Sequence, residues 1–296
     1  MTDAFSKLHP VVSFTFFAFV ITLSMFLNNP VCLALSLFCS LANALYLNGK
    51  RAVKLSLAFL LPMIILVAII NPVFNHQGVT ILSYFPWGNP LTLESIIYGV
   101  VSALLLSTAV LWFSSFNRVM TSDKFVYLFG RIIPSLSLVL SMTLRFVPKF
   151  CEQFKRVRNA QKCIGRDISE GGFLRKIKNA VRITSIMITW AMENAIETAD
   201  SMKSRGYGLK GRTAFSIYKF DKRDLYTLIA IVALGSFVSI SAILGGVDFL
   251  YFPMIKGDLT SASAILTFCA YSALMLAPLG LNVKEELKWK QLRSKI

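Results

Sequence analysis

A chain of 296 residues that is 55% hydrophobic, carries 24 Phe and has a mean hydropathy of +0.62 is too apolar for a soluble domain of this length. An integral membrane protein is expected, and the net charge of +16 reads as a basic cytoplasmic face, with no nucleic-acid partner. The five cysteines (Cys32, Cys39, Cys151, Cys163, Cys269) form no CxxC pair and accompany only His9 and His76. That pattern argues against a metal site or a disulfide framework and for lone buried thiols. One basic residue before the first apolar run, with no clear small-x-small site after it, does not read as a cleavable signal.

In chain order, uncharged apolar runs fall at 11–27, 31–47, 55–70, 96–116, 225–245 and 261–281. The last three are long enough for a hydrocarbon core of roughly 30 Å, and the first three lie at the short limit. Pro62 predicts a kink in the third. Lys50, Arg51 and Lys54 mark the 48–54 loop, and the tail from Lys284 carries five Lys/Arg. The 71–95 segment has none, and 246–260 has only Lys256. Both termini, 48–54 and 117–224 are therefore expected in the cytoplasm, with YFPWGNP at 84–90 on the outer interface.

Residues 117–224 hold 21 of the 31 Lys+Arg and 9 of the 15 acids. Two apolar patches interrupt them, IIPSLSLVLSMTL at 132–144 and ITSIMITWAM at 183–192. Each is too short to span comfortably, and spanning together would place eleven Lys/Arg outside the cell. The patches are expected in amphipathic or interface-buried helices of a cytoplasmic domain. The layout is thus 1–116 membrane helices, 117–224 cytoplasmic domain, 225–296 membrane helices with a basic tail.

Within this domain KFCEQFKRVRNAQKCIG at 149–165 places Phe150, Phe154, Val157, Ala160 and Ile164 at helical spacing, with Gly165 as the stop. A second helix is predicted from about 174 to 205. Ala191, Ala195, Ala199 and Met202 form a small-residue face, and Glu193, Glu197 and Asp200 share another, expected to be solvated. It ends at Gly206, with Gly208 behind, and Arg205 suits the helix dipole at its last turn. Arg145, before Val147-Pro148, reads as an interface anchor.

LRFVP at 144–148 with AQKCIG at 160–165, ETADSMKSRGYG at 197–208 and KLHP at 7–10 together resemble the T component of energy-coupling factor transporters, the CbiQ/EcfT superfamily. The resemblance covers the whole chain in layout. It implies an all-α integral membrane protein with about six transmembrane helices and long cytoplasmic coupling helices, each ending in a short arginine motif. It also implies the partners: two cytoplasmic ABC-type ATPase subunits, a substrate-binding membrane subunit for a vitamin or metal ion, and the lipid bilayer of the cell membrane. Ser204, Arg205 and Gly206 match the second motif. Cys163, Ile164 and Gly165 stand at the first, with isoleucine where the family has arginine, and Arg166 lies two residues on. Either Arg166 reaches the same partner from another angle, or the first helix docks through apolar contact.

The chain has no GxxxxGK[ST], so it does not cradle ATP phosphates. Its apolar runs carry no acid or lysine for an ion path, which argues against a self-sufficient permease. DKRD at 221–224 is the nearest approach to the paired acids of a magnesium-pyrophosphate enzyme, and it has no counterpart elsewhere. No cofactor, metal ligand or catalytic residue is expected. The alternative reading is a membrane-embedded enzyme or scaffold not coupled to ATP.

Overall fold

The computed structural model describes all residues except 1–2, 50–53, 55–57, 59, 76–77, 85–89, 131–132, 170–171, 210–217, 252–253, 255, 258–260 and 294–296. Most of YFPWGNP and of the 48–54 basic loop thus lies outside the described residues. After a 3₁₀ turn at Phe5–Lys7 come α1 (Pro10–Phe26), α2 (Pro30–Asn48) and α3 (Leu61–Phe74). A ribbon of β1 (Ile81–Tyr84) and β2 (Pro90–Thr92) leads into α4 (Leu93–Val119), followed by α5 (Ser122–Gly130), α6 (Pro134–Cys163) and α7 (Phe173–Ser204). The chain closes with α8 (Lys222–Ile243), a ribbon of β3 (Phe249–Leu250) and β4 (Lys256–Gly257), and α9 (Ala262–Arg293). It divides into two compact units, residues 1–124 with 218–296, and residues 125–217. The architecture is all-α, with two short antiparallel ribbons among the described residues.

In the first unit, α2, α4, α8 and α9 are long and apolar enough to cross a bilayer, while α1 and α3 are apolar but shorter. Local signals start the first two helices. His9 Nδ1 accepts from Val11 N, Asn29 Oδ1 accepts from Val31 N, and each cap precedes a proline whose missing N–H costs nothing there. Pro62 sits in the first turn of α3, directly after π-helical backbone at Ala58 and Leu60, and Pro72 lies inside the helix.

The core of this unit is an aromatic nucleus. Phe5, Phe16, Phe17 and Trp112 meet edge to face, with Tyr271, Leu274 and Met275 of α9 buried beside them. Trp112 Nε1 donates to Ser36 Oγ at 3.3 Å, and Asn282 Oδ1 accepts from Phe5 N at 3.0 Å. Buried polar groups in an apolar bundle need such partners. Lys124 Nζ donates to the carbonyls of Val119 and Ser6, tying the N-terminal turn to the end of α4. At Gly235 of α8 a Cβ would lie 2.7 Å from the Phe19 ring of α1, so this crossing requires glycine.

Glu94, at the start of α4, accepts from the N–H and hydroxyl of Thr80, and β1 pairs with β2 above it. DKRD is explained as a helix start: Asp221 caps α8, and Asp224 Oδ2 accepts from Asp221 N in a reciprocal capping box. Of the cysteines read as lone buried thiols, only Cys32 and Cys39 are buried. Cys151, Cys163 and Cys269 are exposed.

Candidate functional site

The second unit is dominated by α6 and α7, of 30 and 32 residues, each therefore about 45–48 Å long. The apolar patch at 132–144 and the basic helix at 149–165 are one helix, not two. Pro148 lies inside α6. Contacts on its C-terminal side hold the helix through it: Phe150 packs edge to face on Trp190 of α7, and Lys149 Nζ donates to Asn194 Oδ1 at 3.0 Å. The inner stripe of α6 runs through Phe146, Phe150, Gln153, Val157 and Gln161. Phe154 and Ile164, assigned by spacing to the packed face, are exposed.

Both helices stop in the same way. At the end of α6, Gly165 takes φ +70°, Gly165 N donates to Lys162 O, and Arg166 N donates to Gln161 O. At the end of α7, Gly206 takes φ +77°, Gly206 N donates to Lys203 O, and Tyr207 N donates to Met202 O. These are two Schellman caps with the same pair of bonds, and each needs a left-handed residue that glycine supplies without a steric penalty. The residue before each glycine has nearly the same backbone angles, φ −96° and ψ 9° at Ile164 against φ −83° and ψ 8° at Arg205. Cys163, Ile164 and Gly165 therefore superpose in role on Ser204, Arg205 and Gly206.

The side chains at these tips face solvent. Ile164 is 63% exposed, and Cys163, Arg166, Ser204 and Arg205 are exposed too. Ser204 Oγ turns back to Ser201 O at 2.9 Å, leaving the tip to the arginine. Among the described residues the ion pairs join Arg156 to Glu152, Arg158 to Asp167 and Arg223 to Glu285, so the Arg205 guanidinium has no carboxylate partner there. Arg166 occupies the position after the glycine, with its N–H committed to the cap. Its side chain leaves the backbone two residues beyond Ile164, and so it does not stand where Arg205 stands.

The first tip contains a residue that the sequence reading passed over. Asp167 is 1% exposed. Its Oδ1 accepts from Arg158 Nε at 3.2 Å and from Ile168 N at 2.7 Å, and its Oδ2 accepts from Ser169 Oγ. Its backbone carbonyl accepts from Asn179 Nδ2 at 3.0 Å. The Ser169 hydroxyl first, and then the Arg158 guanidinium, hold the carboxyl down at about 2. One side chain thereby ties the last turns of α6 to the connection, while its carbonyl ties the connection to the first turns of α7. The available signal was an aspartate just past the helix-ending glycine, followed two residues later by serine. Glu193, Glu197 and Asp200 are exposed, in keeping with a solvated face.

The contacts order α6 and α7 in opposite senses: residues 149 and 150 meet 194 and 190, while 167 meets 179. Ile164 lies 14 residues beyond Phe150, and Arg205 lies 15 residues beyond Trp190 the other way. At 1.5 Å per residue the tips stand up to about 43 Å apart.

The sequence model of the family described as CbiQ, cobalt transport protein, matches residues 2–215. The chain is 37% identical over 101 residues to the energy-coupling factor transporter transmembrane protein EcfT of Streptococcus thermophilus, covering 34% of this chain and 38% of that one. It is 33% identical over 103 residues to the protein of the same name in Lactobacillus helveticus, covering 34% and 37%. A longer match, 28% identical over 239 residues, joins it to that of Brevibacillus brevis, covering 72% and 86%. The match thus spans under two fifths of the length of the first two relatives and most of the third.

Proposed function

Because the chain belongs to the CbiQ family, matched over residues 2–215, we propose that it is the membrane-embedded energy-coupling (T) subunit of an ATP-driven importer. In this reading 117–224 is a cytoplasmic coupling domain between the membrane helices of 1–116 and 225–296, and both termini are cytoplasmic. The Ile164 and Arg205 tips sit in grooves on two ABC-type ATPase subunits. The membrane helices carry the ATPase motion to a separate substrate-binding membrane subunit that takes up a vitamin or a metal ion. The chain itself catalyses nothing.

The observation that supports this most is the pair of like-capped, solvent-facing tips at opposite ends of one helix crossing. ATP-driven approach of two ATPases would move two such tips together, and a rigid crossing held by Phe150, Trp190, Lys149 and Asn194 would pass that motion along its length. A guanidinium at a helix tip offers a forked donor that fits a carboxylate in a partner's groove. The test is copurification in mild detergent followed by an ATPase assay. ATPase chains should copurify with the wild-type protein and hydrolyse ATP in the complex, while the isolated chain is inactive. Turnover by the isolated chain, or the absence of any ATPase partner, would refute the reading.

A further inference from the structure

At one end of the first unit a groove of about 430 Å³ lies between the N-terminal segment, the start of α8 and the end of α9. Its α9 side is one helical face: Leu281, Lys284, Glu285, Lys288, Trp289 and Leu292 fall at i, i+3, i+4, i+7, i+8 and i+11. Ala4 and Leu8 form the facing apolar wall, and Arg223 joins the rim from α8. The lining carries three cations against one carboxylate. That carboxylate, Glu285, is already engaged by Arg223 at 2.8 Å, which leaves Lys284 and Lys288 without an acidic partner among the described residues. Both lysines are exposed.

The position matters as much as the charge. The groove begins at Leu281, where the apolar run of α9 ends, and rises one to three turns into its charged extension. Trp289, 58% exposed, follows about two turns after that run ends, and indole rings favour a membrane–water interface. Apolar side chains at Leu8 and Leu281 next to the two lysines complement a molecule with an acyl chain and an anionic head. Basic pockets between helices at this depth attract anionic head groups.

We infer that this groove holds an anionic phospholipid of the adjoining leaflet, its phosphate between Lys284 and Lys288 and an acyl chain along Leu8 and Leu281. This occupant depends on the membrane reading and not on the coupling role of α6 and α7. The test is native mass spectrometry of the full-length protein in detergent with added phosphatidylglycerol or phosphatidylcholine. Wild type should retain phosphatidylglycerol in preference, and Lys284→Gln with Lys288→Gln should lose about tenfold in that retention. Lys284→Gln with Lys290→Gln, of equal net charge but sparing one cation of the rim, should lose clearly less. Equal retention of the two lipids by wild type, an equal loss in both double variants, or displacement by millimolar inorganic phosphate would overturn the proposal.

Discussion

Ile164 and Arg205 occupy the same position in the same helix-ending motif, each the last residue before a left-handed glycine and each open to solvent. One tip presents a branched hydrocarbon and the other a guanidinium, so the two ends of the crossing are alike in backbone and unlike in chemistry.

Arg205→Ala is expected to weaken assembly with the ATPase by about 2–5 kcal/mol, because a buried carboxylate in the partner's groove loses its donor. Ile164→Ala should cost less, about 1–3 kcal/mol of apolar packing. Arg166→Ala should have little effect, since its side chain leaves the backbone two residues beyond Ile164. Affinity of each variant for the ATPase in detergent gives the ranking, and an Arg166→Ala loss equal to that of Arg205→Ala would mean that Arg166 serves the first tip.

The caps themselves can be tested without a partner. Gly165→Ala and Gly206→Ala force a side chain into the left-handed region at φ +70° and +77°, at about 1–2 kcal/mol each. Gly206→Ala also drives Cβ to 2.9 Å from Leu209 Cδ1, which can swing aside. Spin labels on the two tips should show a broadened distance distribution in either variant, with the helical content of the whole chain unchanged.

Asp167 links the first tip to acidity. Its folded carboxyl titrates at about 2, below the ordinary aspartate value of about 3.9. The ionised form is therefore favoured in the folded tip. Its contribution is fully present above about pH 4 and fades as the pH falls toward 2. A spin label on Cys163, with the other cysteines replaced, should become more mobile across that window. Asp167→Asn should be mobile already at neutral pH and show no such acid transition, with Arg158→Gln intermediate. Identical pH profiles in wild type and Asp167→Asn would show that the carboxylate does not hold the tip.

The proposed topology makes opposite demands on two exposed positions. With Cys163 as the only cysteine, a membrane-impermeant thiol reagent added to intact cells should leave it unlabelled, and permeabilisation should expose it. Val79→Cys on a cysteine-free background should label from outside. The reverse pattern would invert the assignment of 117–224 and of the 71–95 ribbon.

Hydropathy, charge and glycine carry local information, and what depends on them was legible in the chain. Runs of apolar residues placed α1, α2, α4, α8 and α9 to within a few residues, except that α9 continues twelve residues past its run, because burial in hydrocarbon depends on composition over a single helix. Gly165 and Gly206 marked both helix stops, since only the backbone at those points decides them. Pairings between distant residues were not legible. The continuity of α6 through Pro148 rests on Trp190 and Asn194, and the burial of Asp167 rests on Arg158 and Asn179. The exposure of Ile164, the crossing of α6 and α7, and the groove between Leu8, Arg223 and Lys288 were likewise decided by tertiary structure. In each case the free energy lies in a contact between segments that sequence periodicity treats independently, so only the folded chain could set which face turns inward.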